Sequence, residues 1–466
     1  MKTDFMISIP GIVSLVIILL SPVSMTLAQE GTPAGEIVNC TGEITVIRAE
    51  TGRPVPAHPG MVLSAGDGIR TGDTGWAALL MSDETLVQIN RNTVFILKRV
   101  ADSAGWFKNS TVRPASAGGA GLSEYSLKTG EAWFRNKNKN MSIIIDCPSV
   151  TAGIRGTELN LVVAPDRDTV LSVIEGRVSA ANPAGTVMAQ QNEQVTARPG
   201  LPLEKTLLLN PADAVQWTIT LPPLAETWLT MADPDPELLD LIRSRRMIIA
   251  QKSLETIVKA HPENAAAWSW LALVRLFRNQ KDQALEAARK GAALAPASAS
   301  GLIILSYAWQ GIFDLEKALE TLDQALNLEP DNCLALVNAA RLRFGTQAVD
   351  MAESLMARAR TLYPNDPDVL TLSGYLALAR QDYDKAMDAF SRAIAINPQV
   401  GEAFMGLALL NMRRGSIDLA LKEIATAVLL EPQRSVFVSY WAKMLYQVKR
   451  FDRALELLDT AQTLDA

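Results

Sequence analysis

Apolar and small residues recur through the C-terminal half of the chain at helical spacing, inside a frame that repeats every 34 residues. Prolines mark the frame: Pro262, Pro296, Pro330, Pro364, Pro398 and Pro432. With each proline set at position 32, the full repeats begin near Ala265, Ala299, Cys333, Pro367, Gly401 and Ser435. Position 4 is apolar (Trp268, Leu302, Leu336, Leu370, Phe404, Val438), and position 8 is small (Ala272, Ser306, Ala340, Gly374, Ala408, Ala442). Position 20 is alanine from Ala250 to Ala454, and position 27 is small (Gly291, Ala325, Ala359, Ala393, Ala427, Ala461). Spacings of four and of seven or eight place such residues on one helical face. The pattern predicts two helices per repeat, A and B, that approach closely at the short side chains. The proline stops helix B, because it lacks an N–H and disfavours helix in the residue before it. A degenerate leading repeat is expected over 237–264, after Asp233-Pro234-Asp235-Pro236.

This pattern resembles the tetratricopeptide repeat, over residues 265–466. Position 11, usually aromatic in that family, is Arg275, Trp309, Arg343, Ala377, Asn411 and Leu445. The resemblance implies a coiled array whose A helices line a concave groove. Its groove positions carry Leu273, Leu276, Phe277, Ile303, Tyr307, Arg341, Phe344, Tyr375, Leu378, Met405, Leu409, Met412, Arg413, Lys443 and Tyr446. Apolar, aromatic and basic residues along a groove suit a protein or peptide partner. Tight coiling would bury part of this set. The Lys/Asn arrangement of chaperone-tail clamps is missing, with Ser269 and Leu273 at the relevant early positions.

The N-terminal half has a different rhythm. Short β-rich runs (44–47, 77–81, 85–89, 94–97, 142–145, 159–163, 169–174, 186–189) alternate with turn signals such as Gly66-Asp67-Gly68, Asn90-Arg91-Asn92 and Glu175-Gly176. This predicts an all-β domain over 36–200, with sandwich, barrel and roll left open. Two strings add a resemblance: Gly66-Asp67-Gly68-Ile69-Arg70-Thr71-Gly72, and Thr151-Ala152-Gly153-Ile154-Arg155-Gly156-Thr157-Glu158. Together they look like the FecR-type domain, an exported β-module known from envelope regulators. Asp83-Glu84 departs from the Asp-Gly turn expected there, and residues 100–126 look like a loop insertion. The fold class expected is therefore an all-β FecR-like domain, a Pro-rich linker over 201–236, and an all-α tetratricopeptide solenoid.

Residues 7–20 form an apolar run, and Thr26-Leu27-Ala28 offers a signal-peptidase-like site, so 1–28 reads as a signal peptide and the mature chain as periplasmic. An uncleaved leader, tethering the chain to the inner membrane, is the other reading. The net charge of −6 gives no basic nucleic-acid footprint. No later run is long and apolar enough to span a membrane. Export makes a Cys40–Cys147 disulfide one reading; two small apolar side chains is the other.

Candidate chemistry is sparse. Arg155 and Glu158 could hold a charged ligand, but the string around them also reads as a tight turn in which Arg155 bonds local carbonyls. Asp67 and Asp73 stand too far apart for a calcium loop. Gly118-Gly119-Ala120-Gly121 lacks the Lys-Ser/Thr ending of a phosphate loop. His58 and His261 have no partner at metal spacing. No enzyme, metal or cofactor is expected. The last helix, with Leu455, Leu457, Leu458 and Leu464, must be solvated through Glu456 and Asp459 or covered by another chain, which admits a homo-oligomer through the last repeat. The reading is a non-enzymatic periplasmic adaptor binding partners in the repeat groove, with the β-domain as a second binding or sensing module. The alternative is a FecR-type signal-transducing regulator, which calls for a cytoplasmic segment and a membrane helix before the β-domain; an enzyme or glycan-binding module, which calls for a polar, convergent pocket in the β-domain, is a third.

Overall fold

The computed structural model describes residues 33–101, 121–136, 138–139, 141–208, 214, 236–243, 246–432 and 434–465. The leader-like segment 1–28 and most of the linker lie outside the described residues.

The alternating runs of the first half form two nine-stranded layers that share one long strand. In hydrogen-bonded order, the first layer is β4 (Met61–Ser64), β1 (Pro33–Thr41), β6 (Trp76–Met81), β7 (Leu86–Ile89), β9 (Gly121–Asn136), β12 (Thr157–Val163), β13 (Thr169–Glu175), β16 (Glu193–Ala197) and β17 (Glu204–Leu207). The second is β3 (Pro54–Pro56), β2 (Ile44–Ile47), β5 (Gly68–Thr71), β8 (Val94–Arg99), β9, β10 (Met141–Asp146), β11 (Thr151–Ile154), β14 (Arg177–Asn182) and β15 (Gly185–Gln190). All described pairings are antiparallel except β9–β10. Strand β9 changes layer at Gly130, where φ is +91° and a Cβ would stand 2.3 Å from Thr93 Oγ1, so only glycine fits the bend. Two boundaries move relative to the sequence. Residues 121–126, read as loop insertion, begin β9, and β17 extends the sheet into the stretch read as linker.

Inward side chains of both layers make the β-core, including Leu79, Phe95, Tyr125, Phe134 and Leu161. Cys147 is buried in it and Cys40 packs against it. Both are free thiols, as is Cys333. The Cys40–Cys147 disulfide is thus not formed. Each side chain serves as a small apolar group, and burial, with the Asp146 charge adding, pushes the Cys147 thiol up to about 12.

The second half is a series of helix pairs: α1 (Pro236–Arg243) and α2 (Met247–Ala260), then α3 (Ala265–Phe277) and α4 (Lys281–Leu294), α5 (Ala299–Gly311) and α6 (Leu315–Leu328), α7 (Cys333–Gly345) and α8 (Val349–Leu362). The last three pairs are α9 (Pro367–Ala379) and α10 (Tyr383–Ile396), α11 (Gly401–Arg414) and α12 (Ile417–Leu430), α13 (Ser435–Gln447) and α14 (Phe451–Asp465). The position-20 alanines of all these repeats are buried, which allows the close helix approach read from the sequence. Room is made elsewhere too. Gly374 and Gly406 both press on Phe390, where added Cβ atoms would stand 2.5 and 2.3 Å from its ring. Helix A begins on a capping side chain at position 34 in four cases: Asn264, Ser298, Asn332 and Asp366 each accept a backbone N–H. Val400 and Arg434 hold that position before α11 and α13 and make no side-chain cap.

The β-domain folds back onto the end of this array. Outward side chains of the first layer, Val38, Trp76, Ala78, Leu80, Leu86 and Trp133, share one buried cluster with α12, α13 and α14. Polar contacts frame it. Asn39 Nδ2 donates to the Pro398 carbonyl at 2.9 Å, and Gln88 Nε2 to the Leu429 carbonyl at 2.6 Å. The Leu429 carbonyl is one of the four that a helix C-terminus leaves without a helical partner. Arg135 Nη1 donates to the Pro432 carbonyl at 3.0 Å, while its Nε pairs with Glu158 at 2.8 Å, both side chains being buried. Lys422 meets Glu36 at 2.6 Å. Glu84 receives Arg450 and Arg453, each at 3.1 Å. So the chain's own N-terminal domain covers much of the array's end, a third arrangement beside the two read from the sequence. On α14, Leu457 is buried while Leu455 and Leu458 remain exposed.

Glu84 explains the departure from the Asp-Gly turn. Its backbone is left-handed, with φ +67°, a conformation that costs a non-glycine residue about 1–2 kcal/mol. The carboxylate that glycine would lack is the one that binds both arginines of the repeat domain.

Candidate functional site

The candidate site is the inner face of the array. Arg341 on α7 reaches Glu402 on α11, skipping the whole intervening repeat, and its Nη1 lies 2.7 Å from both carboxylate oxygens. Side chains two repeats apart can meet only on the inside of a coiled array, so this pair marks the concave face. Arg434 also binds Glu402, and its Nη1 lies 3.0 Å from Glu431. The residue that gives up the helix cap before α13 is therefore the one that ties the groove together. Tyr375 Oη donates to the Glu402 backbone carbonyl at 2.8 Å. The Arg434 guanidinium stacks on Phe437, 4.6 Å from the ring centre.

Electrostatics follow from this packing. Burial disfavours charge on Glu402, but the two guanidiniums outweigh it and hold the carboxyl down at about 2. Burial pushes Asp368 up to about 7; Arg341 opposes, while Glu402 and Asp366 add to the rise. Burial likewise pushes Glu423 up to about 7, despite the hydrogen bond from Asn411. Beside the Arg341–Glu402–Arg434 cluster lies a cavity of about 140 Å³, walled by Phe344, Leu372, Tyr375, Met405, Val436 and Phe437. Nothing in this set amounts to a nucleophile poised against a base. Its chemistry is recognition: aromatic and aliphatic walls, with guanidiniums whose charge is balanced by carboxylates.

The groove residues read from the sequence divide by burial. Leu273, Ile303, Leu378 and Met405 are buried and pack between helices. Leu276, Phe277, Tyr307, Arg341, Phe344, Tyr375, Leu409 and Met412 are half-buried, and Arg413, Lys443 and Tyr446 are exposed. Of these, Arg341, Phe344, Tyr375 and Met405 come together at the cavity. Glu402, Arg434, Val436 and Phe437 were missed. A polar residue breaking the capping pattern at position 34 was the available signal for Arg434; Glu402 and Val436 stand at position 2, itself a groove position of the repeat family, and that signal was passed over.

The glycine string of the β-domain divides as well. Glu158 is buried, accepting from Trp133 Nε1 at 3.1 Å as well as pairing with Arg135. Arg155 is exposed and its Nε donates to the Lys139 carbonyl, the local-carbonyl role. Lys139, Arg155 and Arg177 nonetheless rim an open cleft of about 790 Å³ with Gln190 and Gln191. Asp67 accepts from the Ala49 and Ser64 backbone and pairs with Arg48 at 2.8 Å, so it holds a turn. Among the described residues, no group of three His, Cys, Asp or Glu is placed to hold a metal, and no helix is long and apolar enough to cross a membrane.

Residues 67–179 match the family model "FecR protein", and residues 239–299 and 377–439 match two tetratricopeptide repeat models. No curated protein matches the chain. Similar solved structures include the APC/C hetero-tetramer Cut9-Hcn1, at 16% identity and TM-score 0.42, covering 53% of this chain and 50% of that one. A tetratricopeptide repeat protein from Parabacteroides merdae aligns at 17% identity and TM-score 0.40, over 49% of this chain and 90% of that one. A putative anti-sigma factor from Parabacteroides distasonis aligns at 15% identity and TM-score 0.26, over 34% and 70%. This chain thus spans half of the Cut9-Hcn1 chain it matches. FecR and tetratricopeptide modules are scaffold and regulator parts rather than catalytic ones, and they support protein interaction as the general role. The chain is a FecR-type domain followed by, and docked on, a tetratricopeptide-repeat array.

Proposed function

We propose that this chain is a non-enzymatic periplasmic adaptor that holds a protein partner in the concave groove of its repeats, with the FecR-type domain as a second binding or sensing module. The cavity beside Arg341, Glu402 and Arg434 carries the reading: it opens between aromatic walls on the inner face, where an extended or helical peptide segment has room for an anchoring side chain. Docking of the β-domain on the last helices leaves this cavity uncovered, since none of its walls belongs to the β-domain. The cleft rimmed by Lys139, Arg155 and Arg177 supports the second module, with an acidic ligand as its complement. The signal-transducing reading rests on the FecR match over 67–179 and makes the same cleft the receptor contact.

The test places a photo-crosslinking residue at Val436, which lines the cavity and is 48% exposed, and a second at Lys252 on α2 as control. A discrete adduct at Val436 in intact cells, absent at Lys252 and lost with Arg341→Glu, is expected. Equal labelling at both sites would refute groove binding. Recovery of the chain in the cytosolic rather than the osmotic-shock fraction would refute the periplasmic assignment.

A further inference from the structure

The repeats offer an internal comparison at position 11. In the first three, a long side chain there bridges position 25 of the preceding repeat and position 19 of its own. Arg275 Nη2 meets Glu255 at 3.1 Å, and its Nη1 donates to the Gln283 carbonyl at 3.2 Å. The Trp309 ring lies 5.8 Å from the Arg289 guanidinium and 4.7 Å from the Lys317 ammonium. Arg343 Nη2 meets Asp323 at 2.6 Å, and its Nη1 lies 3.5 Å from the Met351 sulfur. In the fourth repeat the residue is Ala377, and the slot is empty. A cavity of about 600 Å³ opens there, within the range of ligand pockets. Val369, Leu370, Leu376 and Ala389 supply its apolar surface, and Lys385 stands on its rim.

Lys385 occupies the place that Lys317 holds in the second repeat, and each is tied to the aspartate at position 16, Asp382 or Asp314. Lys317 has a tryptophan ring beneath it; Lys385 has the cavity. The rim also carries four cations, Arg360, Arg380, Lys385 and Arg392, against three carboxylates, Glu353, Asp382 and Asp388. Arg360 and Arg380 share the carboxylate of Glu353, at 2.9 and 3.2 Å.

We infer that the Ala377 slot is a binding site for an aromatic side chain presented by a protein partner within an acidic stretch. The ring takes the place of the missing position-11 side chain and lies against Lys385, as Trp309 lies against Lys317. The flanking carboxylates meet the surplus guanidinium charge. None of the residues walling this slot walls the groove cavity, so the site stands apart from the groove and does not rest on it.

The probe is a capped pentapeptide with tryptophan centred between glutamates, and its counterpart with alanine at the centre. Methyl resonances of Val369, Leu370 and Leu376 in the full chain report binding. The tryptophan peptide should give saturable shifts, and the alanine peptide should bind about tenfold more weakly or worse. Ala377→Trp and Ala377→Arg, which copy side chains the array already holds at this position, should abolish the shifts while leaving Val436 crosslinking intact. Two variants guard against one failing to fold. Equal binding of both peptides, or unchanged binding in a folded slot-filled variant, would overturn the inference.

Discussion

Leu328 and Leu430 stand at the same position of two repeats, both on helix B and both two residues before the proline. Leu328 is 45% exposed and Leu430 is fully buried. The contrast holds for the whole helix. On α6, the residues matching Lys422, Ala425, Thr426 and Leu429 are Glu320, Asp323, Gln324 and Asn327, all exposed. One helix faces solvent and the other faces a β-sheet. A repeat frame fixes where a helix sits, while the side chains on its outer face record what covers it.

The largest test of this contrast attacks the pair that underlies the docked face. Arg135→Ala takes the guanidinium from buried Glu158, leaving it the Trp133 hydrogen bond, and takes the donor from the Pro432 carbonyl. It should cost about 3–5 kcal/mol in chemical denaturation, with the β-domain melting first. Arg135→Met with Glu158→Leu should recover most of that stability and still weaken docking, seen as a larger radius of gyration by small-angle scattering. Next comes a matched pair of substitutions. Leu429→Lys places a charge in the dry interface and should cost several kcal/mol and separate the domains. Asn327→Lys, at the same repeat position on the open helix, should stay within about 0.5 kcal/mol. Equal effects would erase the distinction between covered and open helices.

The sequence made some of this legible. The proline and alanine frame located every helix pair of the array, because close helix packing restricts those sites to small residues and chain reversal restricts the others to proline. The docking was written less plainly, yet it was there. In β6, Trp76-Ala77-Ala78-Leu79-Leu80-Met81 has no polar alternation, the mark of a strand covered on both faces. Helix α12 is apolar nearly all round, the mark of a buried helix. The groove was half legible: Arg341, Phe344, Tyr375 and Met405 fall at groove positions, but the meeting of Arg341 with Glu402 depends on the superhelical turn of the array, which periodicity within a helix does not encode.

A smaller effect is expected at Glu84. Glu84→Ala and Glu84→Gly both lose the two arginine contacts, but glycine recovers the left-handed backbone. The alanine variant should therefore be the less stable by about 1 kcal/mol, read from denaturation midpoints. Identical midpoints would remove strain from the account of this turn.

The array should also show a pH dependence of its own. Asp368 and Glu423 hold protons more tightly folded than unfolded, so their contribution is full at low pH and lost as pH rises toward about 7. Stability should increase as pH is lowered from 8 to 5. Glu402 acts in the opposite sense: its contribution is present above its ordinary value of 4.5 and lost as pH falls toward about 2. Asp368→Asn together with Glu423→Gln should flatten the upper slope and leave the lower one. An unchanged upper slope would assign it to other groups.

Proline is used in this array for what it cannot do, which is to donate a hydrogen bond and continue a helix. What it keeps is a carbonyl, and the β-domain takes hold of two of them, at Pro398 and Pro432, one repeat apart. Trp268 takes the Pro262 carbonyl at 2.9 Å, and Arg392 the Pro364 carbonyl at 3.3 Å. The terminators thus double as evenly spaced mooring points. The β-domain grips backbone atoms that every repeat presents at the same place, so this part of its hold does not depend on the side chains of the repeat it meets.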